Sequence, residues 1–197
     1  SLSYDVTEQR NNLSYNLQMD LPSKITFCRR LITGNGVYTL QNDLSTDGSC
    51  LVIGANNITI DMNGFNMTHT DTDEGDYGID NSGNYANLTV KNGYIYDFGT
   101  GVYQDFGGYG NFTNLTIVVN NQDINGVADG ISPMWGDNNY MSNLNISIYN
   151  PGGAFPEGRA HGIYSYSNNN IIENVVITNI TGGAGGYGIS LASAVNN

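Results

Sequence analysis

The sequence predicts an all-β protein. The expected architecture is a right-handed parallel β-helix, a solenoid of about six coils over residues 24–197, with an N-terminal β-strand arm or hairpin over residues 1–23. Three observations carry that expectation. The tetrapeptide Asn57-Ile58-Thr59-Ile60 returns as Asn87-Leu88-Thr89-Val90, Asn114-Leu115-Thr116-Ile117, Asn143-Leu144-Asn145-Ile146 and Asn174-Val175-Val176-Ile177, its asparagines 30, 27, 29 and 31 residues apart. A second marker keeps step with it: Gly78-Ile79, Gly101-Val102, Gly130-Ile131, Gly162-Ile163 and Gly188-Ile189. Two markers alternating at such a period denote stacked supersecondary units. Within each tetrapeptide, apolar residues flank one outward position, the period-two pattern of a strand. The right-handed sense follows from the general rule for parallel crossovers.

Taken in order, residues 1–22 stand apart from the repeats. Leu13, Tyr15, Leu17, Met19 and Leu21 alternate with Ser14, Asn16, Gln18 and Asp20, a half-buried strand ended by Pro22. Leu2, Tyr4 and Val6 form a shorter strand before it. The pair reads either as a hairpin capping its own first coil or as an arm that pairs with a neighbouring subunit. Residues 24–56 read as the first coil, with Cys28 and Cys50 joined in a disulfide, since an even cysteine count in an Asn/Thr/Tyr-rich chain fits an oxidising compartment. Closing that loop would stabilise the coil by roughly 3 kcal/mol in the chain-entropy model. The leading asparagines Asn57, Asn87, Asn114, Asn143 and Asn174 read as one interior ladder, their amides stacking along the axis and bonding turn backbone. Past Gly188 the chain reaches Asn197 near where another ladder strand would begin. Read as a bare end, that leads to an expectation of head-to-tail association. The alternative is that these 197 residues are part of a longer precursor that carries the next coils or a cap.

The segments Asn57-Ile-Thr-Ile-Asp-Met-Asn-Gly64, Leu88-Thr-Val-Lys-Asn-Gly-Tyr-Ile95 and His161-Gly-Ile-Tyr-Ser-Tyr-Ser-Asn-Asn-Asn-Ile-Ile-Glu-Asn174 resemble secreted right-handed β-helix repeat proteins. That broad family includes pectate-lyase-like folds, NosD-like repeat proteins and surface proteins of archaea and bacteria. The resemblance covers roughly residues 24 to 197 and speaks to fold. It is poor for function, because the family hosts lyases, hydrolases, adhesins and structural proteins.

Composition narrows the field further. Only 12% of the residues are charged and the net charge is −12, which argues against nucleic-acid binding, a function that needs a basic face. No apolar run is long enough to span a membrane, so no membrane insertion is expected. Polarity comes from Asn, Ser, Thr and Gly, a surface that reads as extracellular. The start at Ser1 without Met is consistent with a leader already removed.

Candidate sites are few. Asp129 and His161 precede the repeated glycine in successive coils, within one strand spacing of each other and close to Arg159. A carboxylate beside an imidazole can orient it as a general base. Polygalacturonase-like enzymes of this fold also carry clustered aspartates, and this chain lacks an adjacent Asp-Asp pair, so a structural pair is the favoured reading. Asp71, Asp73 and Asp76 resemble part of a calcium loop; no other cofactor is expected. Pro151 to Arg159 reads first as a loop that folds its own Phe155 onto the outside of the solenoid. The functional alternative joins it to Met134-Trp135-Gly136 as an aromatic patch suited to a sugar or protein partner. Glycosylation acceptors occur at Asn12, Asn57, Asn66, Asn87, Asn111, Asn114, Asn145 and Asn179. Asn66, Asn111, Asn145 and Asn179 are the better candidates, because the ladder positions are expected to be buried.

The function expected from these features is an extracellular structural subunit of a cell-surface layer, sheath or filament that self-associates head to tail. Two alternatives stand beside it. One is a polysaccharide hydrolase or lyase working through Asp129, His161 and Arg159. The other is a carbohydrate-binding adhesin whose partner is a glycan.

Overall fold

The computed structural model describes residues 24–31, 33–71, 76–121, 126–150, 158–183 and 185–192; the expected arm over residues 1–23 lies outside them. Every regular element among the described residues is a strand, and every pairing is parallel. One sheet runs in the order β1 (Lys24–Ile25), β3 (Val37–Leu40), β6 (Thr59–Asp61), β9 (Thr89–Tyr96), β11 (Asn111–Asn120), β13 (Tyr140–Asn150), β15 (Ile171–Gly182). Two short strands, β4 (Leu44–Thr46) and β7 (Asn66–His69), complete it, β7 pairing with the far half of β9. The second sheet has seven strands: β2 (Arg29–Leu31), β5 (Leu51–Ile53), β8 (Tyr77–Asn81), β10 (Thr100–Gln104), β12 (Ala128–Pro133), β14 (Arg159–Ser165) and β16 (Gly185–Leu191). The chain alternates between the sheets and climbs one rung per turn, so it is a parallel β-helix.

The core follows from the apolar columns. In the first sheet Ile60, Val90, Phe112 and Met141 lie one above another, each 0% exposed. In the second sheet Leu51, Ile79, Val102, Ile131 and Ile163 do the same. Between the sheets, the glycine of the second marker is needed for space. A Cβ on Gly78, Gly101, Gly130 or Gly162 would sit 2.5–2.7 Å from the isoleucine methyls of Ile95, Ile117, Ile146 or Ile177, and as close to the next glycine's carbonyl oxygen. The repeated Gly-Ile pair is therefore a packing device: the isoleucine fills the core, and the glycine admits the isoleucine that comes from the other sheet.

Residues 24–56 hold two short turns rather than one coil, because β1 already pairs with β3 and β2 with β5. Cys28 and Cys50 are bonded across these two turns, one position before the paired Arg29 and Leu51.

The asparagine ladder also differs from the sequence reading, in register and in burial. Asn57 stacks on Asn35, and Asn87 on Asn57, with amide-to-oxygen distances of 2.8 and 2.7 Å. Asn114 does not continue that column; it donates to Asn92 at 3.2 Å, 22 residues before it. Asn143 and Asn174 then follow Asn114 in register. The column of Asn35, Asn57 and Asn87 runs on instead through Tyr109, Asn138 and Asn169. Two corner columns thus exist, and the five marker asparagines are divided between them. All five are exposed, not interior, and all have φ between 53° and 59°. What selects asparagine there is the left-handed backbone of a corner, which Asn tolerates better than other residues with a Cβ. Exchange of Asn114 for Gly should leave the denaturation midpoint nearly unchanged, whereas Asn114→Val should cost about 1–2 kcal/mol. Equal stability of the two variants would count against the corner reading.

The buried polar ladder is built by other residues. Asn139 and Asn170, each next to a corner asparagine, point inward with Gln104 and Ser167. Gln104 donates to Asn139 at 3.0 Å and Asn139 donates to Asn170 at 3.0 Å, a chain of side-chain amides along the axis. Because it is buried, this chain satisfies backbone groups that water cannot reach.

Candidate functional site

The outer face of the second sheet gathers most of the chemistry. Its first outward column reads Tyr77, Thr100, Asp129, His161, Tyr187, with Asp129 beside His161 as the sequence implied. Three residues further along each strand stand Asp80, Tyr103, Ser132, Tyr164 and Ser190. Strict alternation would put residues three apart on opposite faces. A Cβ on the intervening glycine, however, would point into the core beside the isoleucine, so the glycine-isoleucine step interrupts the alternation. Both columns are left on one side, where Tyr77 meets Tyr103 and His161 meets Tyr164.

Asp129 and His161 are brought together: the His161 Nδ1 lies 2.8 Å from the Asp129 Oδ1. The imidazole is stacked between Tyr164 and Tyr187, with centroids 4.4 and 5.3 Å away. His161 is 2% exposed and Asp129 6%. An imidazole so covered is held in place by the carboxylate and the two rings; the pair ties β12 to β14. Arg159 stands two residues before His161 on β14, and its positive charge acts on Tyr164.

Beside this pair lies an open cleft of about 330 Å³, with Tyr77, Tyr103, Tyr164, Thr100, Met134 and Asp129 in its wall. Tyr77 and Tyr103 stack at 4.8 Å. The phenols register the local field. Burial, then Asp105, Tyr77, Asp80 and Asp129, push the Tyr103 hydroxyl up to about 12. Burial raises Tyr77 as well, followed by Asp80 and Asp129. Tyr164 is pushed up to about 12 by burial, by its hydrogen bond to Tyr166 and by Asp129, with Arg159 opposing. All three therefore stay protonated donors at neutral pH, in a negative potential set by nearby carboxylates.

Trp135 does belong to an aromatic patch. Its neighbours are Phe106 and Tyr166, with centroids 6.0 and 4.8 Å away in the adjoining turns. Phe155, expected there, lies outside the described residues, as does Asp73 of the acidic loop. Of the remaining acidic pair, Asp76 accepts a hydrogen bond from Ser49 at 3.0 Å and its other oxygen lies 3.4 Å from the His69 Nε2. Asp71 meets His69 through its carbonyl oxygen. Among the described residues no three His, Cys, Asp or Glu side chains converge as metal ligands. Asn145 and Asn179 are exposed and Asn66 and Asn111 half-buried. Burial was the ground for setting Asn57, Asn87 and Asn114 aside as acceptors, and it does not hold, since all three are exposed.

The cleft tyrosines were not singled out from sequence, although a signal was present. Tyr77 and Tyr187 stand one residue before the repeated glycine, and Tyr103 and Tyr164 two residues after it. Residues at one offset from a repeat marker share a face, and that is the signal from which they could have been found.

Set against known proteins, the chain matches no family model, no curated protein and no solved structure. Its likeness to β-helix repeat proteins rests on its own parallel, stacked strands.

Proposed function

We propose that the protein is an extracellular structural β-helix unit of a cell-surface layer, sheath or filament, assembling head to tail. The observation that supports it is the state of the last described rung. Ile163 is 0% exposed, while Ile189, its register partner in β16, is 47% exposed, and Leu191 beyond it is 43% exposed. Among the described residues no strand pairs with the outer edge of β15 or β16. An apolar rung with unpaired strand amides and carbonyls is a template for further strands. The disulfide agrees with an oxidising compartment.

The occupant of that end is a second copy of the chain. Its alternating segment from Leu13 to Leu21 has the apolar spacing to lie on such a rung. A heterologous contact of this kind propagates as a filament or ring. Electron microscopy and light scattering of the purified protein test the reading. Polymers are expected, and they should be lost on Ile189→Asp and on deletion of residues 1–22, with the melting temperature of Ile189→Asp within a few degrees of wild type. A wild-type protein that stays monomeric at high concentration, or an Ile189→Asp variant that polymerises normally, would sink the proposal.

A further inference from the structure

The cleft opens on the outer face of the second sheet across β8 to β14, with Tyr164 one rung from β16, whereas the assembly contact proposed above is made at the free edge of β16 itself. The wall of the cleft includes Tyr77, Tyr103, Tyr164, Asp129, Thr100 and Met134. Tyr77 and Tyr103 stack on one another, Tyr164 stacks on His161, and one Asp129 oxygen is engaged by His161. Asp80 and Asp105 are close enough to act on Tyr103. Among the described residues of the wall there is no lysine or arginine; Arg159, which acts on Tyr164, is not one of them. A volume of about 330 Å³ is the size of a small-molecule site rather than of a protein-binding groove.

That chemistry selects sharply. An anionic ligand such as a uronate would meet carboxylates without a basic partner in the wall. A purely apolar ligand would gain nothing from the negative potential. A quaternary ammonium suits both features. Aromatic rings attract it through their electron-rich faces, and carboxylates add a long-range attraction. It also carries no N–H that would need an acceptor on every side, so a wall of rings with one carboxylate suffices.

We infer that this cleft binds a small organic cation of the quaternary ammonium class, seated among Tyr77, Tyr103 and Tyr164 with the Asp129 carboxylate in the wall.

The test is calorimetric titration of the whole chain at low ionic strength with choline chloride and with tetramethylammonium chloride. The control is the neutral carbon isostere of choline, in which a tert-butyl group replaces the trimethylammonium. Choline and tetramethylammonium are expected to bind saturably, and the isostere about tenfold more weakly or not at all, the size of a desolvated cation–π contact. Tyr103→Phe keeps the ring and should bind within about twofold of wild type, while Tyr103→Leu should lose roughly tenfold. Circular dichroism of both variants confirms that they fold, and the isostere comparison on the wild-type chain does not depend on them. Sedimentation with phosphatidylcholine vesicles then separates the sources of the group: co-sedimentation identifies a lipid headgroup, and binding of free choline alone identifies a soluble ligand. Either result supports the inference. Absence of saturable binding by both cations, equal binding of the isostere, or an unaffected Tyr103→Leu variant would overturn it.

Discussion

Replacing Asn139 by Leu is expected to lower the unfolding free energy by on the order of 4 kcal/mol, several buried partners being stranded at about 1–3 kcal/mol each and partly offset by relaxation. The Asn139 side chain is 1% exposed. Its oxygen accepts from the Gly110 amide at 2.8 Å and from Gln104 at 3.0 Å. Its amide donates to Asn170 at 3.0 Å and to the Gly136 carbonyl. Leucine keeps the branched shape of the side chain and leaves no cavity, so the loss would combine the stranded polar partners with the crowding of two bulkier methyl groups. The adjacent Asn138 supplies the control, because it is exposed with φ 63°. Asn138→Gly should change stability by only a few tenths of a kcal/mol. Urea denaturation of the two variants gives the comparison. If Asn139→Leu unfolds at the wild-type midpoint, the inner amide ladder contributes nothing.

Gly130→Ala is the second large effect, about 3 kcal/mol of destabilisation from overpacking. The added Cβ would meet the Gly162 carbonyl oxygen and the Ile146 Cγ2, each at 2.5 Å. Neither neighbour can withdraw cheaply: one is backbone within a strand ladder, and the other is a β-branched core side chain flanked by its own column. Gly48→Ala is the matched control, since nothing lies within 4 Å of a Cβ built there. That variant should be neutral or slightly stabilising, by roughly 0.5 kcal/mol through the unfolded state. Thermal melts that placed Gly130→Ala level with Gly48→Ala would remove the packing account of the repeated Gly-Ile pair.

The two substitutions bear on what could be read before any coordinates. The Gly-Ile marker was read in its true register: Gly78, Gly101, Gly130, Gly162 and Gly188 form one column, and with them Asp129 falls beside His161. Turns in this sheet are entered at the same point of every coil, so counting residues from the marker places side chains correctly. The asparagine marker misled where its coil shortened. Rungs advance by 22 residues from Asn35 to Asn57, 30 from Asn57 to Asn87, and 22 again from Asn92 to Asn114. A sequence likeness between Asn87-Leu88-Thr89-Val90 and Asn114-Leu115-Thr116-Ile117 records that both follow a corner, not that it is the same corner.

The sequence alone determined the strand type, the parallel solenoid, the apolar column of the Gly-Ile marker and the Cys28–Cys50 pairing, because each depends on local alternation or on spacing that recurs regularly. It did not determine the first-sheet column, which puts Phe112 rather than Ile117 above Val90. Tertiary structure decided which asparagines face water and which face the core. Asn138 and Asn139 are the same residue type side by side, and only the sign of φ at the corner turns one outward and the next inward. It also decided the cleft. Tyr77, Tyr103 and Tyr164 lie on three different rungs, and their separation in space is set by strand spacing and by coil length together. Coil length is fixed by how far each loop bulges before rejoining the hydrogen-bonded ladder, a quantity that no periodicity in the chain encodes.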